Sequence, residues 1–168
     1  MSPRDAVKKA LGLAAALSFL APLLTRVTVG YAFFLTGRGK LANFENFVGF
    51  FTDLGIPFPA LNAHFVARLE YYGGIALILG LATRLFAAGL ASTMVVAILT
   101  SEREQFLLSW LPTGDIGPLD ISPYVFFLLL SWLVLYGPGL LSLDTVVARR
   151  LGWTHDETAT PVAVKTTA

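Results

Sequence analysis

The chain has no cysteine in its 168 residues. That absence excludes disulfides, thiolate metal sites, iron–sulfur clusters held by thiolates and cysteine-based redox relays. Charge is also scarce, at 14% of residues, where a soluble domain of ordinary composition carries about 25%. Histidine is limited to His64 and His155, far apart, the second in a polar tail, so dedicated metal or haem ligation by this chain is not expected and the metal expectation is none. The formal net charge is only +1 and no basic run exceeds a short pair, which gives nucleic acid nothing to bind.

What fills the space is apolar sequence in long blocks: 55% of residues are hydrophobic and the mean hydropathy is +0.70. Blocks of this length suit a bilayer, whose core takes about 20 apolar residues per helix, better than a soluble core, which asks for periodic stripes. The first block runs from Ala10 to Leu35 and is broken only by Pro22 and Arg26. Either it is one long tilted helix, or Ala10 to Leu20 lies at the interface and the span begins near Pro22. A cleaved signal peptide would also show Arg4, Lys8 and Lys9 ahead of an apolar run, but this block is too long and lacks a small-residue cleavage site. The second block, Phe58 to Ala82, contains His64, Arg68 and Glu70; the third is Leu85 to Thr100; the fourth, Ile121 to Leu143, carries no charge. The short join at Ala82-Thr83-Arg84 makes the second and third an antiparallel hairpin.

The expected fold is therefore all-α: an integral membrane four-helix bundle with an amphipathic interfacial segment between helices 1 and 2. That segment is Leu41 to Leu54, where Leu41, Phe44, Phe47, Val48, Phe51 and Leu54 recur at helical spacing. A second apolar patch, Phe106 to Trp110, dips toward the headgroups. Residues 1–9 form a cytoplasmic flank, 10–151 the membrane domain and 152–168 a disordered cytoplasmic tail, its Thr/Ala-rich sequence from Thr154 having no periodicity. Orientation rests on basic residues near the spans. Arg4, Lys8, Lys9, Arg84, Arg149 and Arg150 fall on one side, against Arg38, Lys40 and Arg103 on the other, where Asp115 is among the acids. Both termini are then cytoplasmic.

Arg26, Arg68 and Glu70 lie inside spans, where a charge costs at least about 2.5 kcal/mol unless it pairs. Arg26 on the first helix and Glu70 on the second stand at comparable depth and are expected to pair. Arg68 and Glu70, two residues apart, point to different sides of their helix. Such a pair either fixes helix register or forms a polar centre that binds an anionic or quinone-like head group or relays a proton. His64, outward of both, is a further candidate for that centre, or a satisfied interfacial histidine. Arg38 and Lys40 sit at the outer edge, as anchors or as the mouth of a pocket. Gly73, Gly74, Ala76 and Gly80 offer a small-residue face for close helix packing.

Five motifs in order carry a resemblance. They are Arg26…Gly30…Gly37…Lys40, Leu54-Gly55-Ile56-Pro57, Glu70-x-x-Gly73-Gly74, Leu79-Gly80-Leu81-x-Thr83-Arg84 and Gly137-Pro138-Gly139-x-x-Ser142-Leu143-Asp144. Together, from roughly Leu23 to Leu151, the chain resembles the DoxX family of small bacterial and archaeal membrane proteins. Many members have a histidine before the glycine that ends helix 1; this chain has Thr36, and any function of that histidine is not carried here. The resemblance implies a four-helix membrane bundle of the bacterial or archaeal cytoplasmic (inner) membrane. It also implies links to quinol oxidase and thiosulfate:quinone oxidoreductase subunits, and to membrane anchors of oxidative-stress complexes. The expected role is an accessory or anchoring subunit of a quinone-associated redox complex, with direct quinone binding at Arg26/Glu70 as the alternative and a small transporter as a third. The cofactor is left open, with a quinone, none of it covalently bound, as the candidate. The expected partners are the lipid bilayer and another protein of a redox complex, and oligomers are compatible with the sequence.

Overall fold

A computed structural model describes residues 3–111 and 116–152; Asp115, His155 and the tail expected to be disordered lie outside them. Among the described residues all regular structure is helical. In chain order the helices are α1 (Pro3–Leu17), α2 (Leu20–Ala42), α3 (Phe44–Asp53), α4 (Pro59–Leu79), α5 (Thr83–Thr100), α6 (Arg103–Leu108), α7 (Ser122–Tyr136) and α8 (Leu143–Arg150), with a 3-10 turn at Pro118–Asp120.

The first apolar block is two helices, not one. The chain turns at Ser18 and Phe19, and α2 then opens with Pro22 in its first turn, where the missing N–H has no intrahelical acceptor to lose. Most of the segment read as amphipathic, Leu41 to Leu54, is helical as α3, which buries Phe51 and packs on α4.

Four helices make the body. α2 packs most extensively on α4 and α5 on α7, and the ring closes through α4 on α5 and α2 on α7. The α2–α4 pair is antiparallel and close. A Cβ at Gly74 would lie 2.5 Å from Phe34 N and 2.6 Å from Gly30 O, and one at Gly37 would collide with the backbone of Tyr71. Gly73 instead meets Phe86 and Leu90 of α5, so the small-residue stretch of α4 serves two neighbours rather than one face. Val29, Phe33, Leu77, Leu90, Leu130 and Leu133 form the apolar centre.

Large apolar side chains also stand on the outer surface. Leu24, Tyr31 and Leu35 of α2, Leu61, Phe65 and Tyr72 of α4, Leu85, Val96 and Leu99 of α5, and Leu128 and Leu135 of α7 are all exposed. A helix that is hydrophobic all round, in a ring this small, faces something other than water. By length and composition, α2 and α5 are long and apolar enough to cross a membrane. The fourth block yields a shorter helix than its hydropathy suggests. α7 has 15 residues and stops where Gly137, with φ +94°, leaves helical space.

Candidate functional site

The buried charges of α2 and α4 do not pair with each other, contrary to the sequence expectation. Arg26 is 2% exposed and Glu70 is 1% exposed, but they belong to opposite ends of the bundle. The antiparallel register sets this: Gly37 abuts Tyr71, Gly30 abuts Gly74 and Ile78, and Arg26 therefore comes level with Gly80.

At the Arg26 end the guanidinium donates to the carbonyl oxygens of Pro138 (2.7 Å) and Leu141 (2.5 Å), and the Asp144 carboxylate is its interacting counter-charge. Asp144 itself accepts from the backbone N–H groups of Ala82 (2.6 Å) and Thr83 (2.9 Å). Those amides converge because Ala82 adopts φ +44°, and a carboxylate there caps the N-terminus of α5. The backbone N–H of Asp144 donates to Gly80 O (3.0 Å), while Ser142 caps its own helix by accepting from Thr145 N. Gly80 closes α4 with two backbone bonds, Gly80 N to Leu77 O and Leu81 N to Ala76 O, the paired ending that a left-handed C-terminal residue allows. The Arg26 and Asp144 bonds tie the starts of α2, α5 and α8 and the end of α4 together. The buried Thr83 Oγ1 and Arg26 Nε have no hydrogen-bond partner.

At the other end Lys40 reaches inward from the last turn of α2, and its Nζ donates to Glu70 Oε1 at 2.5 Å. The Lys40 ammonium also stands 4.9 Å from the ring centre of Phe47 on α3, a cation–π contact. The second carboxylate oxygen, Glu70 Oε2, is buried with no hydrogen-bond partner. Two cavities meet at this pair. The larger, about 370 Å³, lies under α3 and between α4 and α5. Phe47, Phe51, Phe65, Val66, Met94 and Ala97 are among its lining residues, with Ser92 and Thr93 as neutral polar groups. The smaller, about 170 Å³, lies toward α7 and is lined by Phe33, Thr36, Met94, Ser122 and Phe126 among others. Lys40 and Glu70 line both cavities and, among the described residues, are the sole charged ones in either lining.

The remaining candidates separate from this centre. Arg38 and Arg68 are exposed, each two residues from an inward charge and so turned away from it on its helix. His64 is exposed too, and its ring stacks on Phe44 with centroids 3.9 Å apart, which pins α3 to α4. Asp144 and the cavity wall of Phe47, Phe51, Thr93 and Met94 were not singled out from sequence as site residues. The signals were there, in the Ser142-Leu143-Asp144 motif and the aromatic repeat of residues 44–51. Among the described residues no three His, Asp or Glu side chains gather as a metal site.

Comparison with known proteins adds a lineage. The DoxX family profile matches residues 21–103. A Bacillus subtilis (strain 168) protein named "Putative oxidoreductase CatD" is 31% identical over 128 residues, covering 76% of this chain and 87% of that protein. The Escherichia coli (strain K12) "Inner membrane protein YphA" is 31% identical over 130 residues, covering 73% and 86% respectively. No solved structure gives a significant match.

Proposed function

Because the chain belongs to the DoxX family of membrane proteins, we propose that it is an inner-membrane accessory subunit of a redox-linked complex, and that its Lys40–Glu70 centre holds the head group of a membrane quinone. The observation that carries this reading is a buried Glu70 carboxylate paired with the half-buried Lys40 ammonium at the wall of an apolar cavity of about 370 Å³. Cavities of that size with a few convergent polar groups suit small amphipathic ligands. The orphaned Glu70 Oε2 supplies a hydrogen-bonding position that no protein group fills, so the residues present fit such a head group.

In this reading α2, α4, α5 and α7 each cross the bilayer. Glu70 stands midway along α4 and Lys40 reaches in to it from the last turn of α2, and ionisable groups within a membrane usually serve function. Lys40 orients the head group and offers a proton; Glu70 accepts one; Phe47 and Phe51 of α3 close the site toward the outer surface. A bound quinone would supply the two-electron, two-proton chemistry, and the electrons would pass to or from a partner protein. The name of the Bacillus relative supports a redox setting. A purely anchoring role is the second reading, favoured by the amphipathic α3, which could dock a partner without any ligand.

The test is extraction of the complex in mild detergent followed by organic-solvent analysis of what travels with it. Quinone at close to one per chain, lost in Glu70→Leu while the partner stays bound, is the expected result. A complex that carries only phospholipid and is indifferent to Glu70→Leu would leave the anchoring role alone standing.

A further inference from the structure

Glu70 is held asymmetrically. Its Oε1 accepts from Lys40, and its Oε2 is equally buried and accepts from nothing. A carboxylate has only acceptors to offer and an ammonium only donors, of which Lys40 has three and gives one to Glu70. Burial of an unpaired carboxylate oxygen is costly, and the two cavities that share Glu70 are the spaces beside it from which a partner can come. The other polar side chains lining the larger cavity do not serve. Ser92 donates to Gly89 O, Thr93 to Leu90 O, Thr100 to Val96 O and Ser101 to Ala97 O, so these hydroxyl hydrogens are already used, and the Asn62 amide donates to Pro57 O.

We infer that the site selects a ligand whose head group carries a hydroxyl, and discriminates against the carbonyl form of the same molecule. This rests on the reading of the cavity as a quinone-type site and deepens it: the preferred form is the reduced, phenolic one. A phenolic hydroxyl donates to Glu70 Oε2 while its own oxygen accepts from Lys40, so one atom satisfies both members of the pair. A carbonyl oxygen accepts from Lys40 but leaves Oε2 unpaired. The selection is one of binding alone and involves no electron transfer.

The measurement is the affinity of the full chain, in lipid nanodiscs under anaerobic conditions, for three probes with one decyl tail: a hydroquinone, the matching benzoquinone, and the hydroquinone's dimethyl ether. One charge-assisted hydrogen bond is worth about a factor of ten, so the hydroquinone is expected to bind about tenfold more tightly than either of the others. In Glu70→Gln, Lys40 holds the amide oxygen and the NH2 takes the place of Oε2, turning an acceptor into a donor. The order is then expected to reverse, with the benzoquinone ahead. Equal affinities in the wild-type chain would overturn the selectivity while leaving the cavity as a quinone site. No binding of any probe would overturn both. The wild-type series decides the matter even where Glu70→Gln fails to fold.

Discussion

Arg26 makes both of its hydrogen bonds to carbonyls of the stretch that follows α7. That stretch, from Gly137 to Leu141, is non-helical; Gly139 O accepts from the Ser142 and Thr145 hydroxyls, and the Pro138 and Leu141 carbonyls accept from Arg26. Backbone carbonyls without helical partners need another donor, and for Pro138 and Leu141 that donor is Arg26. Replacing Arg26 with Leu leaves two carbonyls and the Asp144 carboxylate without their cation. At about 1.5 kcal/mol or more per charged hydrogen bond, the expected loss is about 3 kcal/mol, read as a large drop in the detergent unfolding midpoint. Arg26→Lys should recover only part of it, because a single ammonium lacks the guanidinium fork that spans Pro138 and Leu141. If Arg26→Leu unfolds like the wild type, the cluster is not what holds the helix ends. Hydropathy alone was enough to mark Arg26 and Glu70 as buried charges. It could not pair them, because depth estimated from block lengths ignores register, and register here is set by glycines. Gly37 and Lys40 share a face of α2, as Glu70 and Gly74 do of α4; lining up those two faces would have matched Lys40 with Glu70.

Glycine is also what decides the element scale. α2 and α4 approach so closely that Gly30, Gly37 and Gly74 have backbone where a side chain would go, and main chain cannot rotate aside as a side-chain tip can. Gly74→Ala is therefore expected to push the two helices apart and cost about 2 kcal/mol, within the range for overpacking a filled interface. Because Lys40 and Glu70 stand on these two helices, the same substitution should also weaken any ligand at the pair. Gly39 is the control. It lies on α2 with nothing near its would-be Cβ, and Gly39→Ala should hold or slightly raise stability through helix propensity, by up to about 1 kcal/mol. Equal responses from the two variants would remove close packing as the explanation. The helices themselves were largely legible: α4 falls inside its apolar block, α5 starts two residues before its own, α2 runs on past Leu35 to Ala42, and the aromatic spacing of residues 44–51 gave α3. The end of α7 was not, since hydropathy runs unbroken through Gly137-Pro138-Gly139, and only the conformational demands of those residues stop the helix.

At the scale of the whole molecule the two polar centres lie at opposite ends. Arg26, Gly80, Ala82 and Asp144 gather at one; α3, α6 and the start of α7 at the other. If α2, α4, α5 and α7 all span the membrane, the first end carries Arg84, Arg149 and Arg150, and the positive-inside tendency assigns it to the cytoplasm. The α3 end, with the mouth of the cavity, then faces outward. The lack of native cysteine makes this directly measurable, because one introduced thiol reports alone. Val7→Cys and Val147→Cys replace exposed neutral residues at the end assigned to the cytoplasm, and Asp53→Cys and Glu104→Cys replace exposed acids at the other; none removes a basic residue on which orientation depends. In intact spheroplasts a membrane-impermeant maleimide should label Asp53→Cys and Glu104→Cys, and should reach Val7→Cys and Val147→Cys only after lysis. The converse pattern would invert the orientation and place the cavity mouth toward the cytoplasm. A split in which Val7→Cys and Val147→Cys differ from each other would mean an odd number of crossings, which α7, at 15 residues and about 22 Å of rise, would be the first helix to explain. An even count requires the Gly137–Ser142 stretch to complete the fourth crossing, and so ties the topology of the chain to the same Arg26 bonds that satisfy its Pro138 and Leu141 carbonyls.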